Sequence, residues 1–115
     1  MDRPIYPESF VQHAIDMVPA DHMKGAVERY LRHGISGGDF LTAVLANDLK
    51  GAAGRADSTN AELLREWAAW LYNDCPIDAQ GSYDKVEAWC KSGGVTGRLG
   101  SASAGRSQLV ETQDA

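Results

Sequence analysis

The chain has 115 residues, 43% of them hydrophobic and 23% charged, which suits one domain with a single core and is too short for two. Its 16 acidic and 11 basic residues give a formal net charge of −5, so it lacks the basic excess that neutralises nucleic-acid phosphates. No apolar run approaches the roughly 20 residues that span a bilayer, and no signal segment is visible. We therefore expect a cytoplasmic protein without membrane contacts.

Apolar residues recur at helical spacing through most of the chain, and no segment alternates as a β-strand does. We predict an all-α fold, a compact bundle of four to five short helices. The first helix follows Pro7 and ends at Pro19, and the second ends at Gly34. Their predicted inward-facing residues are Phe10, Val11, Ala14, Ile15, Val18, Met23, Ala26, Val27, Tyr30 and Leu31.

The third predicted helix begins at Asp39, a suitable N-cap, and frays near Gly51 or Gly54. At about 100° per residue, one side of this helix collects five apolar side chains. These are Leu41, Val44, Leu45, Leu49 and Ala52.

The fourth predicted helix is the most apolar, and it opens on the capping-box spacing of Thr59 and Glu62. Pro76 stops it, and Ser82 caps a last helix that ends at the glycines 93 and 94. The apolar residues of the fourth helix are Leu63, Leu64, Trp67, Trp70 and Leu71.

The composition changes near residue 91. The segment Ser92–Ala115 contains five glycines and four serines but no aromatic residue. Such a segment buries too little apolar surface to offset the entropy of ordering it. We predict one helical domain over residues 1–91 and a flexible tail over residues 92–115.

Cys75 and Cys90 are the only two cysteines. Two cysteines cannot complete a zinc site alone, and no histidine stands at a local ligand spacing from them. We expect two reduced, mostly buried thiols, with a disulfide as the alternative, and neither a metal nor a cofactor.

Polar residues accompany the most apolar segments. Asp48 follows Leu45 by three positions, so it points into the apolar side of its predicted helix and needs a partner there. We predict a structural polar network, in which Arg55 or the N–H groups at the start of the helix at Thr59 pair with Asp48; a catalytic or ligand-binding carboxylate at Asp48 is the alternative. Its members are Asp48, Arg55, Asp57 and Asn60.

The tryptophans of the fourth helix divide between core and edge. Trp67 shares a side with Leu63 and Leu71 and is predicted to be core, whereas Trp70 and Tyr72 lie nearer the edge and suit an interface. We combine these two aromatics with exposed acids as predicted partner-binding residues. The set is Glu28, Glu62, Glu66, Trp70, Tyr72 and Asp84.

Several short motifs stand in a fixed order between residues 27 and 90. They are HG at 33–34, FLTAVLANDL at 40–49, GRAD at 54–57, WLYN at 70–73 and GSYDKVEAW at 81–89. This pattern resembles a family of small phage and prophage proteins, in which Pro commonly stands at the position of Tyr83. The resemblance implies a phage setting: an accessory regulator, an inhibitor of a host defence or host enzyme, or an adaptor in DNA metabolism.

We therefore expect a non-enzymatic protein-binding module whose partner is a host or phage protein. An inhibitor of a host defence system, of the anti-CRISPR kind, is one such role. A small helical nucleic-acid-binding regulator is the alternative, with Lys24, Arg29, Arg32 and Arg65 as its basic face. An enzyme that uses Asp48 is the third hypothesis. The serine-nucleophile spacing of Ser82 and Lys85 is better explained by helix capping.

Overall fold

A computed structural model describes residues 6–97 of the chain. Seven α-helices and two 3₁₀ turns lie between residues 8 and 92, a further helical turn covers residues 94–97, and this part of the chain contains no strand. The helices are α1 (Glu8–Asp16), α2 (Lys24–His33), α3 (Asp39–Leu45), α4 (Leu49–Arg55), α5 (Ser58–Glu62), α6 (Leu64–Asn73) and α7 (Tyr83–Ser92), with 3₁₀ turns at Asp21–Met23 and Ile77–Ala79. The all-α prediction is confirmed. The predicted count of four to five helices is too low, because two predicted helices are each divided.

The predicted third helix is divided at Asn47, whose φ of 62° places its backbone in the left-handed region. Asparagine tolerates this conformation better than most residues. Asp48 then caps the separate helix α4, because its side chain accepts a hydrogen bond from the Gly51 N–H at 2.9 Å. Leu49, predicted to be core on a continuous helix, is consequently 75% exposed.

The predicted fourth helix is divided at Leu63, whose φ of −108° and ψ of 14° are not helical. Thr59 is not the cap that we predicted. Asp57 caps α5 instead, since its Oδ1 accepts a hydrogen bond from the Asn60 N–H at 2.7 Å. A carboxylate is a stronger acceptor for helix N–H groups than a hydroxyl, and Asp57 stands two positions before Thr59. Glu62 therefore ends α5 rather than completing a capping box.

The core contains all three tryptophans, and each buried indole N–H has an acceptor. Trp67 donates to Asn60 Oδ1 at 3.0 Å, Trp70 to the Ala14 carbonyl at 2.8 Å and Trp89 to the Tyr30 carbonyl at 2.9 Å. Burial of an indole is stabilising when its donor is satisfied in this way. The prediction that Trp67 is core is confirmed. The placement of Trp70 at an exposed edge is wrong, because that side chain is 1% exposed.

The packed domain extends past the predicted boundary at residue 91. Ser92 belongs to α7, and Val95 is buried against the core. Gly94 has a φ of +68°, and a Cβ atom there would lie 2.7 Å from the Gly34 nitrogen, so the chain passes α2 closely at a point that favours glycine. The remainder of the predicted tail, residues 98–115, lies outside the described residues.

Candidate functional site

The side of α6 that points away from the core is the most unusual surface of the described chain. Trp67 and Trp70 occupy the inner side, and the opposite side presents residues that are all exposed. We call this surface the outer face of α6, and its members are Arg65, Ala68, Ala69 and Tyr72. Tyr72 is 93% exposed. Three of these four residues are apolar or aromatic and Arg65 is charged, so the face combines exposed apolar surface with one positive charge.

A small cleft borders this face on the side of α4. The α4–α6 cleft has a volume of about 70 Å³. It is lined by Val44, Asn47, Asp48, Leu49, Ala52, Leu64, Trp67, Ala68 and Leu71. Exposed Leu49 stands at this cleft, and Ala68 belongs to both the cleft and the outer face.

A larger, shallower cleft borders the face on the side of α1. The α1–α6 cleft has a volume of about 320 Å³. It is lined by Met17, Pro19, Glu66, Ala69, Trp70, Asn73 and Asp74. Because Ala69 belongs to the cleft and to the outer face, the face and the two clefts form one continuous surface that is mainly apolar.

Asp48 does have a partner, but it is not the predicted one. Its Oδ2 accepts a hydrogen bond from the Tyr83 hydroxyl at 2.5 Å, and its Oδ1 accepts from Gly51. The Tyr83 bond is the main reason that the pKa of Asp48 lies below its ordinary value, and the same bond raises the pKa of Tyr83. Arg55 contributes through its positive charge, while its Nη1 lies 3.4 Å from the Gly51 carbonyl oxygen.

Asp57 and Asn60 form a second polar group on α5. Beyond its cap bond, Asp57 lies with Oδ2 3.0 Å from Nε2 of His22. The hydrogen bond from the Asn60 N–H is the main reason that the pKa of Asp57 is lowered, and the hydrogen bond with His22 lowers it further. Asn60 is 2% exposed and accepts the indole bond of Trp67. The four residues predicted as one network are thus two separate groups, with no hydrogen bond between them among the described residues.

The predicted partner-binding acids are exposed, but they lie on four different helices. Glu66 lies on α6 six positions before Tyr72, and Glu62 ends α5 two positions before α6 begins at Leu64. Glu28 lies on α2, where its Oε2 accepts a hydrogen bond from Arg32 Nε at 3.1 Å, and Asp84 lies in the first turn of α7. Tyr72 is thus a member of the outer face of α6, Glu66 lines the adjoining α1–α6 cleft, and Glu62 precedes α6 in the chain.

The predicted basic face is largely paired with acids. Arg32 donates to both carboxylate oxygens of Glu8, at 2.7 and 2.8 Å, as well as to Glu28. These bonds lower the pKa of Glu8. Lys24 Nζ lies 3.2 Å from Asp21 Oδ1. Two of the four cations predicted for nucleic-acid contact are therefore already neutralised within the chain.

The structure shows where the two cysteine thiols lie and whether neighbouring side chains could hold a metal ion. Cys75 is buried and Cys90 is half-buried, and both are free. Burial raises the pKa of both thiols, so they stay protonated at neutral pH. Between residues 6 and 97, no group of three His, Cys, Asp or Glu side chains is arranged to hold a metal ion.

Neither a protein family, nor a curated protein, nor a solved structure matches this chain. Among the helices of the described segment, none combines the length and the apolar character needed to cross a membrane. The outer face of α6 and its two clefts are therefore assigned from the geometry of this chain alone.

Proposed function

We propose that the protein is a non-enzymatic protein-binding module. Its binding surface is the outer face of α6 with the two adjoining clefts, and its partner presents an apolar surface that also carries positive charge. The observation that carries the proposal is that Tyr72, Ala68 and Ala69 on the outer side of α6 are left uncovered by the rest of the chain.

The side chains of this face have the properties of an interface centre. Tyr72 offers a large ring with two rotatable bonds and a hydroxyl, and it is the type of residue that dominates binding energy at interfaces. Ala68 and Ala69 are small, so the backbone of a partner helix can approach α6 closely there. Exposed Leu49 extends the apolar surface along the α4–α6 cleft.

The charge of the chain specifies the partner further. Residues 6–97 contain 13 Asp and Glu against 8 Lys and Arg, so the described part carries the whole net charge of −5. Glu66 and Asp74 line the α1–α6 cleft and are therefore part of the binding surface. Such an arrangement accelerates association with a basic partner and disfavours acidic ones.

The biological role that we propose is inhibition of a host defence system in a phage setting, with a host or phage protein as the partner. Its support is the motif pattern over residues 27–90 together with the acidic surface. A compact acidic protein can cover a positively charged nucleic-acid channel by electrostatic complementarity.

The geometry favours the two other hypotheses, a nucleic-acid-binding regulator and an enzyme, less than it favours a protein-binding module. A nucleic-acid regulator needs a contiguous positive stripe, whereas Lys24 and Arg32 are paired with acids. An enzyme that uses Asp48 needs a carboxyl whose pKa is near the working pH. Asp48 lines a cleft, as that hypothesis requires, but both its oxygens accept hydrogen bonds and its pKa is lowered.

The proposal is tested by affinity purification from bacterial lysate, followed by calorimetry with the purified partner. We compare the wild type with Tyr72→Ala, with Ala68→Glu and with Ile77→Ala, a control that removes an apolar side chain 65% exposed elsewhere. The two α6 variants should weaken binding at least about tenfold, and the control should not.

Equal affinity of all four proteins would overturn the assignment of the face. Tight, salt-dependent binding of duplex DNA would favour the regulator, and turnover of a substrate would refute a purely binding role.

A further inference from the structure

The α1–α6 cleft is lined by two acidic side chains that lie near opposite ends of α6. Glu66 lies in the first turn of α6, and Asp74 lies just past its last residue. Ala69 and Trp70 line the cleft from α6 between these two positions in sequence, and Met17 lines it from the end of α1. Eight residues separate the two carboxylates in sequence, which corresponds to about 12 Å along a helix.

Both acids have capacity for a further partner. No side chain among the described residues forms a hydrogen bond or ion pair with Glu66, and Glu66 is exposed. The Asp74 side chain is 16% exposed, and its Oδ1 lies 3.2 Å from His13 Nε2, whereas no side chain of residues 6–97 forms a hydrogen bond with its Oδ2. A partner side chain that pairs with Asp74 would therefore be partly shielded from solvent, where ion pairs are screened least.

We infer that this cleft receives one side of a basic amphipathic helix that lies along α6. That helix carries two Arg or Lys residues seven positions apart, with apolar residues at the third and fourth positions between them. Seven residues span about 10.5 Å and return to nearly the same side of a helix. The two cations then reach Glu66 and Asp74 while the apolar residues contact Ala69 and Met17. Lys and Arg suit such sites because their alkyl stems pack on apolar surface.

This inference rests on the proposed protein-binding function and specifies the partner's chemistry. Its test uses an N-acetylated, C-amidated 16-residue peptide, rich in alanine, with Arg at positions 5 and 12 and Leu at positions 8 and 9. A control peptide has the same composition, but its second Arg stands at position 10, which turns it to another side of the helix. Binding is followed through the backbone amide resonances of Ala69 and Asn73 in two-dimensional NMR of the full chain.

The designed peptide should shift these resonances saturably, and the control peptide should bind about three- to tenfold more weakly. Glu66→Gln should weaken the designed peptide by a similar factor. Glu87→Gln, which removes the same charge from exposed α7 outside the cleft, should leave its affinity unchanged. Asp74→Asn should match Glu66→Gln, provided that its melting temperature shows an intact fold.

Equal binding of the two peptides, an unchanged affinity for Glu66→Gln, or no binding at all would overturn the inference. Failure here is distinguishable from failure of the proposed function. If Tyr72→Ala still abolishes capture of the natural partner, α6 binds a protein whose chemistry differs from the one inferred. If Tyr72→Ala has no effect on capture, the binding face itself is misassigned.

Discussion

The inner side of α6 carries large buried aromatic residues, whereas its outer side carries the exposed residues Arg65, Ala68, Ala69 and Tyr72. On the inner side, Trp67 and Trp70 are buried, their indole N–H groups have acceptors, and their rings meet edge to face with centroids 5.6 Å apart. On the outer side, Tyr72 is exposed and its ring contacts no other aromatic ring among the described residues. The inner side stabilises the fold of the chain. The outer side has no such role, and we assign it to a partner.

Among substitutions on the two sides of α6, we expect the largest loss of folding stability at Trp67 on the inner side. Replacing Trp67 by Ala removes a buried ring that contacts Phe40 and Trp70 at centroid distances of 5.6 Å. We expect the free energy of unfolding to fall by about 3–5 kcal/mol, as measured by urea denaturation. A decrease in the free energy of unfolding below about 1 kcal/mol would show that Trp67 contributes little to the stability of the core.

Asn60 is the second position at which a substitution should weaken the packing of the inner side of α6. Asn60→Ala leaves the buried Trp67 indole N–H without its acceptor, and we expect a loss of about 1–3 kcal/mol in the free energy of unfolding. Trp67→Phe removes that donor. In the Trp67→Phe background, Asn60→Ala should therefore cost clearly less. Additive losses from the two substitutions would contradict the bond as the source of the effect.

Val95 tests how far the packed domain extends. Val95→Ala removes two buried methyl groups, for an expected loss of about 1–2 kcal/mol in the free energy of unfolding. A chain that ends at residue 91 should melt at a lower temperature than one that ends at residue 97. Identical melting curves of the two truncated chains would restore the domain boundary predicted from composition.

The Asp48–Tyr83 bond predicts a smaller, pH-dependent effect. Because the pKa of Asp48 is lower in the folded chain than in the unfolded one, its contribution is complete above the unfolded pKa of about 4 and is lost as the pH falls further. Tyr83→Phe should therefore lower the melting temperature by a few degrees at pH 7, and by less at pH 2.5. Asp48→Asn should reduce the same pH dependence. A Tyr83→Phe effect that is constant between these pH values would contradict the ionised bond.

On the outer side, the smallest effect on stability is expected at Tyr72. Tyr72→Ala should change the free energy of unfolding by less than about 0.5 kcal/mol, because the side chain contacts little within the chain. The same variant should lose partner binding. A Tyr72→Ala protein that is strongly destabilised would show that this ring supports the fold after all.

Local patterns predicted the features of this molecule that depend on local chemistry. The Ser82 cap and the left-handed Gly34 at the end of α2 are confirmed, because a cap needs only one side chain and its neighbouring backbone. The division at Asn47 was missed, since apolar periodicity continues across it in the sequence. The Asp48–Tyr83 pair spans 35 positions, which no spacing rule connects.

The candidate site was predicted in part for the same reason. Tyr72 belongs to the outer face and Glu66 lines the α1–α6 cleft beside it, whereas Trp70 lies within the core. The positions of Trp70 and Tyr72 on the helix differ by only two residues, and local periodicity alone does not determine which of these two aromatic residues is covered. That depends on how α1 packs, where the Ala14 carbonyl accepts the Trp70 N–H.

Site-directed photo-cross-linking tests the central claim most directly. A benzophenone amino acid is placed at position 72 or, as the matched exposed control, at position 77 of the full chain, and each protein is irradiated with its purified partner. We predict an efficient cross-link from position 72 that maps to a basic, apolar segment of the partner, and little or none from position 77. Cross-linking from position 77 but not from position 72 would contradict the assignment of α6 as the binding face.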